Sequence, residues 1–394
     1  MRIGVYIHIP FCLRKCHYCD FLSFPADGKA YQAYTDALLN EIAHTPQLMN
    51  HKIDTIFIGG GTPSVLPPDS IAEILENIKR AMRQRNRAAQ GNGLLVSSGT
   101  IQGTHLPVRP SVTPEITLEA NPATVTSETL EAYMRMGINR MSFGLQSAND
   151  AELATLGRLH HYHDFQQNYI AARKAGFTNI SIDIMFSLPG QSLHSWRNTL
   201  ERVAELEPEH ISAYGLIVED GTAFETITID DELDRQMYAL ACETLNRQGY
   251  ERYEISNFTK PGYHSHHNKK YWTRAEYIGL GLGAHSFMNE TRWRNTERFD
   301  EYINHNGIPA FIRRDETSLT RGDAMAEFMF LGLRLSRGVS EKEFFETFAC
   351  ELRAVYCDAI KKHVALETLA AKQGRIYLTE RGINVSNAVM RDFL

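Results

Sequence analysis

The chain has 394 residues, with 41 Lys and Arg against 47 Asp and Glu, a formal charge of −6, 43% hydrophobic and 22% charged residues. Such a balance describes an ordinary globular protein of two to three domains and offers no bulk attraction to nucleic acid or a membrane surface. No apolar run approaches the ~20 residues of a membrane span, and six cysteines, three clustered and three scattered, make no disulfide framework.

The apolar run Val5-Tyr6-Ile7-His8-Ile9-Pro10 predicts a buried strand over Gly4–Ile9. Because the chain enters a strand so soon after Met1, no signal peptide is expected, and a reducing cytoplasm fits free thiols. Directly after the strand comes Cys12-Leu-Arg-Lys-Cys16-His-Tyr-Cys19. Three thiolates this close can grip one metal centre. Four would close a structural site, whereas three leave a coordination position open for chemistry or a small molecule. A zinc site completed by His17 or His8 is the rival reading. Cys242, Cys350 and Cys357 read as buried small apolar residues.

Further strands are expected at Ile53–Ile58, Glu115–Glu119, Asn139–Gly144, Asn179–Phe186 and His210–Ile217. Amphipathic helices are expected between them at Tyr31–His44, Ser70–Met82, Ser127–Met136, Phe165–Ala175 and Trp196–Glu205. Six βα units in series imply a parallel sheet with right-handed crossovers. That predicts an α/β fold with a partial, open (β/α)6 barrel over residues 1–230, and a doubly wound sheet as the alternative. In both, ligands gather at the C-terminal strand ends. Residues 83–114 hold four Arg, four Gly, three Pro and no acidic residue. They read as a flexible surface insertion; a nucleic-acid tail would need aromatic residues as well.

Residues 231–316 read as a connecting region. It carries a strand at Gly249–Asn257, the sequence His264-Ser-His266-His267-Asn-Lys-Lys-Tyr271-Trp272, and a Gly279-Leu-Gly281-Leu-Gly283 loop. From 317 to 394 the pattern is mainly helical, at Asp323–Leu335, Glu341–Phe348, Glu351–His363 and Ala365–Gln373, with a short strand and turn from Arg375. Helices plus a small hairpin predict a winged-helix-like domain. Residues 321–394 hold 11 Lys and Arg against 10 Asp and Glu, so the basic footprint of a DNA reader is missing and a lid or packing role fits better.

Each strand end carries an unusual feature. Gly59-Gly60-Gly61-Thr62-Pro63 follows the second strand, without the Lys-Ser/Thr of a phosphate loop. Glu119-Ala-Asn121-Pro122 ends the third strand and Gly144-Leu-Gln146-Ser147 the fourth, followed by Leu156-Gly-Arg158-Leu-His160. The fifth strand carries Asp183. Glu119 and Asp183 lie in apolar strands, where a carboxylate without a partner is costly. Polar features on successive strand ends, on the same rim as the cysteines, point to one shared pocket.

Together these motifs resemble the radical S-adenosylmethionine superfamily. The resemblance implies that Cys12, Cys16 and Cys19 hold three irons of a 4Fe–4S cluster, and that the fourth iron takes the amino and carboxylate groups of S-adenosylmethionine. It further implies that Tyr6, Gly60, Gly61, Thr62, Glu119, Gln146, Arg158 and Asp183 contact that molecule, with Tyr18 able to pack against its adenine. Tyr6-Ile-His-Ile-Pro-Phe-Cys12 and the helical tail are similar to the oxygen-independent coproporphyrinogen III oxidase branch, over the whole chain apart from 83–114. Three marks separate the chain from the true oxidases. Phe21 stands where they carry a further cysteine, the oxidases' N-terminal extension is missing, and His267-Asn268-Lys-Lys-Tyr271-Trp272 matches the HNxxYW pattern of the branch's heme-chaperone group. The implied role is heme binding and delivery rather than decarboxylation, with heme and heme-acceptor proteins, membrane respiratory proteins among them, as partners. His267, Tyr271 and Trp272 are the heme-binding candidates. His264 and His266 stand in reserve, and the Gly279–Gly283 loop could offer N–H donors to a propionate.

Overall fold

The computed structural model describes residues 2–91 and 113–394. Six strands run parallel in sequence order: β1 (Arg2–Ile9), β2 (Lys52–Gly60), β3 (Glu115–Ala120), β4 (Arg140–Gln146), β5 (Ile180–Phe186) and β6 (His210–Gly215). Their outward residues, such as Ile7, Ile56, Leu118, Met141, Ile182 and Ile211, are fully or almost fully buried beneath the crossover helices. This is why these strands read as continuous apolar runs. The helices Gly28–Ala43, Ser127–Arg135, Tyr162–Ala175 and Leu193–Ala204 fall where expected. Several start on side-chain caps, such as Asp27, Thr126 and Ser192. The expected insertion at 83–114 lies largely outside the described residues. Its first part, 83–91, continues the helix Pro68–Gly91.

The sheet does not stop at six strands. Residues 231–316, expected as a connecting region, add to both of its edges. β7 (Glu251–Arg252) and β8 (Asn257–Thr259) extend the β6 edge, with β8 antiparallel to β6. They replace the single strand expected at Gly249–Asn257. β9 (Tyr277–Leu280) lies parallel to β1 on the other side, and β10 (His285–Met288), β11 (Thr291–Asn295) and β12 (Arg313–Ser318) follow it antiparallel. The order is therefore β12-β11-β10-β9-β1-β2-β3-β4-β5-β6-β8-β7. β1 sits between two parallel neighbours, so the cysteine loop leaves from the interior of the sheet, not from an edge.

One buried carboxylate ties the added edge to the barrel. Glu41 accepts from the Gly281 N–H at 2.8 Å, Asn295 Nδ2 at 2.7 Å and the Tyr302 hydroxyl at 2.6 Å. Burial still pushes its carboxyl up to about 7, against those hydrogen bonds. Glu41→Ala strands three donors. It is expected to lower stability by about 3 kcal/mol, read as a drop in the urea midpoint with little change in slope.

The tail forms its own core around Met329, Phe344, Leu352, Ile376 and Phe393. Its three-stranded sheet runs β13 (Val339–Ser340), β15 (Arg375–Leu378), β14 (Leu369–Lys372). With its helices this gives the winged-helix-like shape. Two details differ from expectation. Ala365–Gln373 is not a helix: after Ala365 the chain turns through Glu367 and pairs Leu369–Lys372 with Arg375–Leu378 across Gln373-Gly374, both at positive φ. The helix expected at Glu351–His363 breaks at Tyr356 into Leu352–Val355 and Cys357–Ala365.

Candidate functional site

The loop after β1 is held by backbone, independently of its thiols. Cys12 N–H donates to the Phe24 carbonyl, and Phe24 N–H to Pro10. Phe11 is buried among Phe24, Tyr31 and Tyr34. His17 N–H reaches the Leu156 carbonyl at 3.1 Å, and Arg14 Nη2 the Gly157 carbonyl at 2.6 Å. These bonds draw the cysteine loop against the segment that carries Arg158.

The glycine turn after β2 passes directly beneath the loop. Gly61 N–H donates to Ile9 and Thr62 N–H to Phe11. A Cβ at Gly61 would stand 2.7 Å from the Phe11 carbonyl and 3.1 Å from Cys12 Sγ, so only glycine fits there. Cys12 Sγ lies 3.4 Å from Thr62 Oγ1.

A cleft of about 710 Å³, measured with its open mouth, fills the space above the strand ends. That size suits a small molecule. Cys12, Cys16, Cys19 and Tyr18 line one side of it, and Gly60, Gly61 and Thr62 lie beside them. Glu119, Gln146, Arg158 and Asp183, from three further strand ends, complete it. Of the residues expected to contact one cofactor, only Tyr6 is not part of the lining. It sits one layer lower, its hydroxyl 2.9 Å from His8 Nδ1.

The electrostatics are those of a site built for a ligand. Burial, then the nearby Asp183, push the Glu119 carboxyl up to about 8, although it accepts from the Gly60 N–H at 3.1 Å. Burial raises Asp183 as well, against hydrogen bonds from Ser142 and Ser181. Arg158 donates through Nη2 to the Gly144 carbonyl at 2.5 Å and approaches Cys16 Sγ at 3.5 Å through Nη1, while its buried Nε has no partner. Such an orphan donor beside a cleft fits an anionic or hydroxyl group of a ligand. Gln146 adopts φ +73°, where β4 and β5 slip register between Gly144 and Gln146. The bulge turns its amide over Gly144, where a Cβ would lie 2.9 Å from Gln146 Nε2. Strain of this kind on a non-glycine residue is typical of functional positions.

Of the histidines considered for a zinc site, His8 is engaged elsewhere at both ring nitrogens and His17 at one. His8 uses both ring nitrogens, on Tyr6 and the Leu22 carbonyl, and His17 Nδ1 lies 2.9 Å from the Thr155 carbonyl. Among the described residues no three His, Cys, Asp or Glu side chains converge on one ion. Cysteines holding separate irons of a cluster need no such convergence.

The structure does not bring His267, Tyr271 and Trp272 to this cleft. They lie on the helix His266–Trp272 at the opposite, N-terminal end of the barrel. His267 is 1% exposed, with Nδ1 2.9 Å from Thr55 Oγ1 and Nε2 3.0 Å from the Tyr271 hydroxyl. Burial, Lys270 and Arg140 push it down to about 3. Trp272 lies under the Arg334 guanidinium, 4.2 Å from its ring centre. Of the reserve histidines, His264 packs edge-on against Tyr253. The Gly279–Gly283 loop has no donors to spare, because Gly279, Gly281 and Gly283 N–H groups go to Ser286, Glu41 and Thr296. One residue escaped the sequence reading. Arg140 is 1% exposed, its Nε is unpaired, and its charge lowers both Glu119 and Asp183. The signal was there: Arg140, Ser142, Gly144 and Gln146 alternate onto the face that carries the site.

Residues 6–203 match the Radical SAM superfamily, and residues 319–385 the HemN C-terminal domain. The heme chaperone HemW of Bacillus subtilis is 34% identical over 402 residues, covering 99% of each chain. The chain belongs to the HemW family of the radical SAM superfamily. The HemW protein of Escherichia coli is 34% identical over 72% of this chain and 69% of its own. A mitochondrial radical S-adenosyl methionine domain-containing protein of Danio rerio is 31% identical over 89% of this chain and 77% of its own. Among solved structures, the coproporphyrinogen III oxidase HemN of E. coli covers all of this chain and 89% of its own with a TM-score of 0.81, at 19% identity. That likeness is one of fold: the partial barrel and the helical C-terminal domain.

Proposed function

We propose that this chain binds heme and delivers it to acceptor proteins, carrying a 4Fe–4S cluster on Cys12, Cys16 and Cys19 with S-adenosylmethionine on the remaining iron. The observation that carries the reading is the single cleft lined by the three cysteines, the glycine turn and the four polar strand ends, in a chain related end to end to proteins named heme chaperones. The donor set fits the pair of cofactors: three cysteines on one loop, a backbone turn with no room for a Cβ, an unpaired Arg158 Nε and two buried carboxyl groups.

Each side chain then has a task. Glu119 accepts from the amino group, Arg158 Nε donates to the carboxylate, and Asp183 takes a ribose hydroxyl. Gln146 offers its amide from the bulge, Gly60, Gly61 and Thr62 bring backbone close, and Tyr18 covers the adenine beside the third cysteine. Tyr6 supports this layer from below. Bound there, a cluster of this type would supply one-electron reducing chemistry toward S-adenosylmethionine. Both nitrogens of His267 are hydrogen-bonded inside the barrel, so heme ligation by this residue would require that packing to open. Among the described residues no helix is long and apolar enough to cross a membrane.

The fold of an oxidase keeps decarboxylation of coproporphyrinogen III as the second reading. Phe21 opposes it: the ring lines the cleft, 62% exposed, where the oxidases have a cysteine. Anaerobically purified protein is expected to take up heme in a saturable titration with a one-to-one end point, and to yield no protoporphyrinogen IX from coproporphyrinogen III with reductant and S-adenosylmethionine. Turnover without heme binding would reverse the order of the two readings.

A further inference from the structure

The helix His266–Trp272 is docked onto the lower ends of β1, β2 and β3 at three points. Glu115, the first residue of β3, accepts from the His266 and His267 N–H groups, each at 3.1 Å. Lys270 Nζ pairs with Asp54 at 2.7 Å. His267 meets Thr55, and Gly4 leaves the room for it: a Cβ there would lie 2.8 Å from Lys270 Cδ and 3.2 Å from His267 Cε1. The helix therefore closes the barrel from below.

What it closes is the underside of the cofactor layer. The His267 ring stacks on Phe57, with centroids 5.2 Å apart at 30°. Phe57 in turn lies 6.3 Å from the Tyr6 ring. At Gly59 a Cβ would stand 2.8 Å from Phe57 Cε1 and equally 2.8 Å from Glu119 Oε2, so the Phe57 ring and the Glu119 carboxylate leave no room for a side chain there. Phe57 and the Glu119 carboxylate thus flank the same glycine of the turn. The Tyr271 hydroxyl meets His267 Nε2 at 3.0 Å and its ring packs edge-on against the His267 ring, so the two move as one unit. Close-packed layers of this kind transmit a displacement rather than absorb it.

We propose that His267 and Tyr271 are positioning residues for S-adenosylmethionine: through Phe57 they fix the height of the glycine turn and of Glu119 beneath the ligand's amino group. The inference rests on the cofactor reading above and gives the HNxxYW helix a task at the cluster end of the molecule.

The test compares wild type with His267→Ala, His267→Gln and Tyr271→Phe after cluster reconstitution, reading iron and sulfide content, S-adenosylmethionine affinity by calorimetry, the change in the reduced cluster's electron paramagnetic resonance on adding S-adenosylmethionine, and heme stoichiometry. His267→Ala is expected to keep cluster and heme and to weaken S-adenosylmethionine at least tenfold, with a smaller resonance change. His267→Gln, which can still donate and accept, is expected to recover part of that affinity. Tyr271→Phe removes one hydroxyl only, and is expected to fold and weaken binding about threefold, so it decides the matter if His267→Ala does not fold. Unchanged affinity in a folded variant overturns the inference alone, as does loss of heme with unchanged S-adenosylmethionine affinity. A wild-type protein that holds the cluster but takes no S-adenosylmethionine overturns the reading beneath it, and the inference with it.

Discussion

Replacing Cys16 with Ser is expected to remove the visible absorbance of the cluster and leave iron and sulfide near background, while the circular dichroism stays that of the wild type. Loss of partners that merely orient metal ligands costs about 10- to 100-fold in affinity, so loss of a thiolate ligand should cost more. The ring nitrogens of His8 and His17 Nδ1 have partners of their own, Cys242 lies against Arg252 in the β7 region, and Cys350 against Met325 in the tail. The fold should survive because the loop hangs on the Cys12–Phe24 and His17–Leu156 backbone bonds, none of which uses a thiol. Cys12→Ser should match Cys16→Ser in iron content but lose more stability, because Cys12 is buried and in contact with Thr62. Cys19→Ser should lose the cluster alone. In the empty protein burial raises its thiol, so cluster assembly should run faster as the pH rises toward thiolate formation. Retention of full iron and sulfide in any of the three would remove the cysteine triplet from its role.

The parallel half of this protein was legible because its strands are buried on both faces and end in residues that a plain core strand would not carry. Gly59-Gly60-Gly61, Glu119 and Asp183 announce themselves against apolar surroundings. Parallel topology then sends all their C-terminal ends to one rim. The added edges were not legible for the opposite reason. Tyr277–Leu280 is four residues long and glycine-bearing, and becomes a strand by pairing with β1, more than 270 residues earlier, as well as with β10. Ala365–Gln373 misled through propensity. Its alanines favour a helix in isolation, yet pairing with Arg375–Leu378 decides the outcome. The burial of His267, offered as a heme-binding candidate, was not legible: three histidines and two lysines within seven residues give no sign of a core position. Burial of that one ring depends on Thr55, Phe57 and Gly4, whose arrangement no local pattern encodes.

Glu119→Gln is expected to have effects of opposite sign on ligand and on fold. In the protein without S-adenosylmethionine the carboxyl titrates at about 8, raised by burial and by Asp183. An unfolded chain would titrate it near 4.3. Between these values the folded state holds a proton that the unfolded state has lost, so the stability contributed by this group is full below about pH 4.3 and falls as the pH rises through 8. The Gln variant has no such proton to lose. Loaded with cluster but without S-adenosylmethionine, it should unfold at higher urea than wild type at pH 8.5, and the gap should close by pH 5. Ligand reverses the order. A hydrogen bond to a charged acceptor contributes about 1.5–3 kcal/mol, so Gln should weaken S-adenosylmethionine roughly ten- to hundredfold at pH 8.5. With saturating ligand, wild type then becomes the more stable of the two through mass action. At lower pH the ligand must first displace the Glu119 proton, so wild-type affinity should climb with pH and level off above 8. The ligand's own amino group, which must be unprotonated to meet iron, adds a slope that both proteins share. The difference between the two slopes is the part due to Glu119. Parallel affinity profiles for wild type and Glu119→Gln from pH 6 to 9 would mean that this carboxylate does not face the amino group.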